Sequence, residues 1–173
     1  MSVTISVLRH PIRVTAGADV RQPRHAHDRV YALIEMLAWA GWEGQSSHHL
    51  AVALWGSADA TANLRKTVQR ARQALGDEGT IVNYRGRYAL EPDLVTCDLW
   101  VLEDEAGTLL EHLRGDHVAA WARQVMRADP PAGASVARLK ERLDVLMILA
   151  PSEVRPLLTA ADQHLRDLLS AGR

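Results

Sequence analysis

The stretch that most constrains the fold of this chain is residues 60–90, which read ATANLRKTVQRARQALGDEGTIVNYRGRYAL. In its first half, Leu64, Val68, Ala71 and Leu75 recur at intervals of three and four residues. That spacing places them on one side of an α-helix, where they would face a hydrophobic core. The pattern therefore predicts an amphipathic helix.

A β-hairpin is predicted directly after this helix. Two β-rich segments, residues 80–84 and 87–90, flank Arg85 and Gly86, and a turn with two acidic residues separates them from the helix. Short β-rich segments joined by two residues that include glycine are typical of a tight hairpin turn.

The charged residues of the predicted helix are all basic, with no Asp or Glu between Thr61 and Leu75. The whole chain has a net charge of −1, but residues 1–94 carry 11 Lys and Arg against 9 Asp and Glu, whereas residues 95–173 carry 9 against 12. Phosphate contacts and counterion release are local events, so a local basic patch matters more than the total charge. A cationic helix followed by a basic hairpin fits a recognition helix and wing; the alternative is a solvated cationic face without a ligand.

The residues before the basic helix predict a small antiparallel sheet and two further helices. Val3, Ile5 and Val7 alternate with polar residues, and hydrophobic residues recur around a turn at residues 17–19, as in paired strands. Helical spacing begins near His25 and continues to Gly41. The second helix is expected to be capped by Ser46 or Ser47 and to end at Gly56. The basic helix is expected to be capped by Asp59 or Thr61 and to end at Gly76.

From about Val95 the sequence predicts helices to the end of the chain. Four are expected, with a loop at residues 129–134 and a break at Pro151. Asp98 is expected to cap the first, Gly115 and Ser135 to begin the second and third, and the last is expected to begin near Ser152. We therefore predict two domains, residues 1–94 and residues 95–173.

The last predicted helix has a wide apolar face. Its leucines are Leu157, Leu158, Leu165, Leu168 and Leu169. This face is wider than one neighbouring helix covers, and two helical hairpins form a short stack. We therefore expect a homodimer that associates through residues 95–173.

The order of sheet, three helices and hairpin resembles the OmpR-type winged helix. The resemblance rests on ALWG closing the second helix, on LRK and RARQALGD in the basic helix, and on NYRGRYAL in the hairpin. Within that group, residues 3–95 are most similar to the domain that opens the Streptomyces antibiotic regulatory protein family. By position, the helical tail resembles a shortened form of that family's activator domain, which is built like tetratricopeptide repeats.

The resemblance implies an α+β protein: a winged helix at residues 1–94, then an all-α tail. It implies a sequence-specific transcriptional regulator that binds double-stranded DNA, with the helix at residues 60–75 in the major groove and the wing at residues 80–90 on the minor groove or backbone. In OmpR-type regulators the loop before the recognition helix, here residues 56–60, is implicated in touching RNA polymerase.

Side-chain chemistry assigns roles within the predicted interface. Arginine binds guanine O6 and N7, and glutamine pairs similarly with adenine, so Lys66, Gln69, Arg70 and Gln73 suit base edges. Residues at the margins of the helix suit phosphates, and the hairpin tip suits the minor groove. The complete expected DNA-binding set is Asn63, Arg65, Lys66, Gln69, Arg70, Arg72, Gln73, Arg85 and Arg87.

The sequence lacks the usual motifs of enzymes and cofactor sites. GxxxxGK[ST], GxSxG, CxxC and HExxH are all absent, and Cys97 is the one cysteine, so we expect neither catalysis nor a cofactor. His25 with His27, and His48 with His49, lack clustered carboxylates or thiols, so we expect no metal site. The N-terminal residues lack the pattern of a signal peptide, and no apolar run is long enough to span a membrane, so a cytoplasmic protein is expected.

A second interpretation comes from a different functional class. Asp77 and Glu78 put acidic charge near the basic helix, and the whole chain is almost neutral. The chain could therefore be a protein-interaction adaptor that keeps a winged-helix scaffold without reading DNA. Salt dependence separates the two, since binding to DNA weakens steeply with ionic strength and an apolar interface does not.

Overall fold

The computed structural model shows a mixed α+β chain that divides into two compact units, Met1–Asp98 and Leu99–Arg173. The residues that the structure describes are 3–8, 11–23, 28–111, 114–128 and 134–171. The strands found among them all lie in the first unit, and the second unit is helical.

The first unit contains two small sheets and three helices. In chain order the elements are β1 (Val3–Ser6), β2 (Arg13–Ala16), β3 (Asp19–Arg21), α1 (Arg29–Ala40), β4 (Gln45–Ser46), α2 (Ser47–Trp55), α3 (Thr61–Leu75), β5 (Ile81–Tyr84), β6 (Arg87–Leu90) and β7 (Val95–Cys97).

The first sheet has the strand order β3-β2-β1-β7. β1 pairs antiparallel with β2, with Ile5 opposite Val14, and β2 pairs antiparallel with β3, which confirms the expected antiparallel sheet. β7 adds a fourth strand parallel to β1, with Val3 opposite Val95. The prediction of helix from about Val95 is therefore wrong for Val95–Cys97, because this segment pairs with a strand about ninety residues earlier, which no local pattern reveals.

Helix α3 has the amphipathic form that its sequence predicts. Leu64, Val68, Ala71 and Leu75 are all buried, and α3 packs against α1 and α2. Gly76 ends the helix at φ 86°, in the left-handed region that glycine tolerates.

The expected capping residues are confirmed for α2 and not for α3. The side chain of Ser46 accepts a hydrogen bond from His49 N at 3.1 Å. The cap position of α3 is Ala60, which has no side-chain oxygen. Thr61 is already the first helical residue, and its hydroxyl donates to Ala58 O at 3.4 Å, so the prediction of Asp59 or Thr61 as cap is wrong.

β5 and β6 form the expected hairpin. Its two turn residues, Arg85 and Gly86, have φ values of 51° and 80°, the positive values that a type I′ turn requires. Asn83 Oδ1 accepts a hydrogen bond from Gly86 N at 3.1 Å and so supports the turn. The two-residue strand β4, which the sequence did not predict, pairs with β6 and extends the hairpin to three strands.

The second unit consists of α4 (Asp98–Glu111), α5 (Gly115–Arg127), α6 (Ala134–Leu149) and α7 (Arg155–Ala171). Trp121 is fully buried, and its indole Nε1 donates to Leu102 O at 3.0 Å, which joins α5 to α4. The predicted break at Pro151 is confirmed by a 3-10 turn at Ser152–Val154. Of the predicted loop at residues 129–134, residues 129–133 lie outside the described residues. His25 and His27 also lie outside them.

Helix α7 packs against both α5 and α6. Leu158 and Leu165 are fully buried between its neighbours, and Leu157, Leu168 and Leu169 are half-buried. This face is therefore wider than one neighbouring helix covers, as expected, and two helices of the same unit cover it.

An ion-pair cluster joins α6 to α7. Lys140 Nζ lies 3.0 Å from Asp162 Oδ1 and also contacts Asp144, and Arg166 Nε donates to Asp162 Oδ2 at 2.8 Å. The Asp162 side chain is only 12% exposed. A carboxylate so nearly buried keeps its charge because two cations hold it.

Candidate functional site

The outward face of α3 is the main basic surface of the first unit. Five of the residues predicted to bind DNA are exposed there: Asn63, Arg65, Lys66, Arg70 and Gln73. Within the described part of the chain, none of these five side chains forms a hydrogen bond or ion pair. Their donors are therefore available to a ligand.

Arg72 has a structural contact instead. Its side chain is half-buried, and its Nε and Nη2 both donate to Ile81 O, at 3.0 and 2.6 Å. These bonds fix the first residue of β5 to the last turn of α3. Arg72 thus sets the position of the hairpin beside the helix, a role that spacing along the sequence does not reveal.

Gln69 is also engaged. Its Nε2 donates to Glu78 Oε1 at 3.0 Å, which links α3 to the 3-10 turn Glu78–Thr80. Contact between Gln69 and a base edge would require this bond to open. Glu78 also places a carboxylate at one margin of the basic face.

The two arginines of the hairpin differ in their surroundings. Arg87 donates from Nε to Glu43 O at 3.1 Å and from Nη2 to Gly44 O at 2.8 Å, which fastens β6 to the segment after α1. Arg85 is exposed at the turn, with its guanidinium 5.1 Å from the centre of the exposed Tyr84 ring. Arg85 and Tyr84 therefore form the accessible tip.

A cleft of about 600 Å³ lies between the start of α1 and the side of α3. Its lining residues are Asp28, Arg29, Val30, Trp55, Asn63, Lys66, Thr67 and Arg70. Three of the predicted DNA-binding residues are thus brought together on one wall. Arg29 and Thr67 were not predicted from the sequence, and the one signal for Arg29 is its place directly after Asp28, which caps α1.

Arg29 is held at this cleft by two contacts. Its Nε donates to Leu54 O at 3.1 Å, and its guanidinium lies 5.6 Å from the centre of the Trp55 ring. A cation over an indole face is attracted by the ring quadrupole. Arg29 therefore links the start of α1 to the end of α2 and presents its charge at the cleft.

The first turn of α2 lies against the hairpin tip. Ser47 N donates to Gly86 O at 2.9 Å, and His48 and His49 beside it are exposed. Among the described residues, no three His, Cys, Asp or Glu side chains are grouped so that they could hold a metal ion. The loop from Gly56 to Asp59, expected to touch RNA polymerase, is exposed.

Within the described ranges, no helix has the length and apolar character needed to cross a membrane. Comparison with known proteins gave no assignment: no protein-family model matches the chain, and no curated protein matches it.

Proposed function

We propose that this chain is a sequence-specific, DNA-binding transcriptional regulator whose first unit is an OmpR-type winged helix. One observation carries the proposal: an exposed basic helix face without any carboxylate of its own lies beside a hairpin held at a fixed position by Arg72. A helix of this width fits the major groove, and a tight basic hairpin at its end fits the adjacent backbone or minor groove.

The contacts of the described residues refine the roles within this proposal. Lys66 and Gln73 are exposed and unpaired within the described residues, so they face base edges without any prior bond to break. Arg65, at the margin of the same face, suits a phosphate. Arg85 is the wing residue for the minor groove, because Arg87 is engaged with Glu43 and Gly44.

Selection of bound sequences from a random duplex library tests the proposal. We expect one enriched motif and a steep, linear fall of log affinity with log salt concentration. Arg65→Ala should lower affinity, whereas Arg123→Ala, a change of an exposed arginine on α5, should not. Absence of enrichment together with salt-independent behaviour would refute DNA reading.

The adaptor interpretation is favoured by Glu78, which places its carboxylate 3.0 Å from Gln69 Nε2 at the edge of the basic face. An acidic group there repels phosphates. Glu78→Gln separates the two functions: a regulator should bind DNA more tightly after the change, whereas an adaptor should show no DNA binding before or after it.

We also propose that the chain forms a homodimer through its second unit. The residues that support this proposal lie on α6 rather than on α7. Val145, Ile148 and Leu149 are exposed on one side of α6, with Ile148 75% exposed. Sedimentation of the full chain at micromolar concentration should show a dimer, and Ile148→Glu should yield a monomer. Val52→Glu, at an exposed valine on α2, is the matched control and should leave the dimer intact.

The exposed Gly56 to Asp59 loop supports a contact with RNA polymerase within the same proposal, because no described element covers it. Ala58→Gln, which enlarges an exposed side chain without changing the charge, should reduce transcription activation in a reconstituted assay while leaving DNA affinity unchanged.

A further inference from the structure

We propose that the cleft between α1 and α3 holds a phosphate group, supplied by the DNA backbone when DNA is bound. This inference rests on the proposed function and changes the roles of Lys66 and Arg70 from base readers to phosphate-binding residues. It divides the basic face of α3 into a part at the cleft that binds the backbone and a part beyond the cleft, around Gln73, that reads bases.

The charge of the cleft suits an anion. Arg29, Lys66 and Arg70 contribute three cations against the single carboxylate of Asp28. That carboxylate caps α1 by accepting from Val30 N at 3.0 Å. The cleft therefore has a positive excess, and its acidic group already has a partner.

The nearly buried side chain of Thr67 supports a ligand independently of the charges. Thr67 lines the cleft and is only 7% exposed, yet in the described part of the chain its hydroxyl forms no hydrogen bond. The hydroxyl oxygen is not fully buried, so it reaches the open space of the cleft. A phosphate oxygen in the cleft would accept from this hydroxyl, and charge-assisted bonds from Lys66 and Arg70 would complete its coordination.

Position along α3 separates the two parts, because Gln73 follows Arg70 by three residues on the same side of the helix. Counted from Asn63, the spacings of three, four and seven residues lead to Lys66, Thr67 and Arg70. These spacings place all four residues along the side of α3 that lines the cleft. Gln73 is exposed on the same helix but does not line the cleft. A recess accepts a group that projects from the duplex, and phosphates project whereas base edges lie flat on the groove floor.

The decisive experiment compares Arg70→Ala with Gln73→Ala. The affinity of each variant is measured for the selected site, for single-base variants of that site and for unrelated DNA. We expect Arg70→Ala to weaken binding to every sequence by the same factor, about tenfold. The slope of log affinity against log salt should become shallower by about 0.9, the value for one phosphate contact. Gln73→Ala should change the preference at one base pair and leave the slope unchanged.

Thr67→Val removes the hydroxyl while keeping the shape of the side chain. The change should weaken binding to all DNA sequences alike, by a smaller factor than Arg70→Ala does. Circular dichroism confirms that each variant is folded. If Arg70→Ala instead relaxes one base position with an unchanged salt slope, Arg70 is a base reader and the phosphate assignment is wrong, while DNA binding itself stands.

Two further arms identify the source of the phosphate. Neutral methylphosphonates placed one at a time in the DNA should reveal one position that weakens the wild type but not Arg70→Ala. Inorganic phosphate, titrated against the protein with DNA present, should compete in the millimolar range for the wild type, at a higher concentration for Thr67→Val and at the highest for Arg70→Ala. Phosphate binding without any DNA binding would refute the regulator and leave the cleft as a site for a free phosphate ester; no effect in either arm would overturn the inference.

Discussion

In the first unit, Arg65, Lys66 and Arg70 lie exposed on α3 without a carboxylate partner among the described residues. In the second, Lys140 and Arg166 converge on the nearly buried Asp162. The first set lowers stability slightly through mutual repulsion and leaves its charges available to an anion, whereas the second set joins two helices. Similar residue types are therefore exposed and unpaired among the described residues of one unit and used for cohesion in the other, and mutation can separate the two cases.

The largest effect is expected from Asp162→Ala. The change leaves Lys140 partly buried and without its main carboxylate, so the free energy of unfolding should fall by about 2–4 kcal/mol. Urea unfolding of the full chain, followed by circular dichroism, measures it. Asp144→Ala is the control, because its exposed pair with Lys140 is worth less than about 1 kcal/mol. Equal losses for both variants would contradict the comparison.

Arg72→Ala tests the one basic residue of α3 that is used for cohesion. Loss of its two hydrogen bonds to Ile81 O should cost about 1–2 kcal/mol and increase hydrogen exchange in β5 and β6. Arg72→Lys should recover part of the loss, since an ammonium group can donate once. If exchange in the hairpin is unaffected, Arg72 does not hold it.

Arg65→Ala is expected to behave in the opposite way. Stability should change by less than about 0.5 kcal/mol, because the side chain is exposed and unpaired within the described residues. DNA affinity should fall on all sequences, and the salt slope should become shallower by about one unit. A loss of stability without a loss of DNA affinity would show that α3 and the Asp162 cluster use their cations in the same way.

The smallest expected effect is the pH dependence of the Asp162 cluster. Partial burial disfavours the carboxylate, but hydrogen bonds from Lys140 and Arg166 outweigh it and hold the pKa of Asp162 below its ordinary value. A lowered folded-state pKa gives stability that is present above the unfolded pKa, about 3.9, and is lost as pH falls below it. Urea unfolding from about pH 5 to about pH 3 should therefore show a loss of stability on acidification that Asp162→Ala lacks.

Local periodicity was enough to predict α3, its buried stripe and the hairpin turn, because each depends on residues close in sequence. β7 was missed because three residues, Val95–Cys97, become a strand only beside the distant β1. The cleft was missed for the same reason: Arg29 and Thr67 meet only after α1 and α3 have packed. The sequence also did not show that the Arg72 and Arg87 side chains donate to backbone carbonyls. Sequence alone shows only that both residues are basic.

The parallel pair formed by β1 and β7 has a consequence for the order of folding. Val3 and Val95 are neighbours in the sheet, so closing this pair encloses nearly the whole first unit in one loop. Long-range closures are slow compared with helix and hairpin formation. During synthesis β1 leaves the ribosome first but gains its β7 neighbour only after Cys97 has emerged. We therefore expect α1, α2, α3 and the hairpin to assemble early, with the four-stranded sheet completed last.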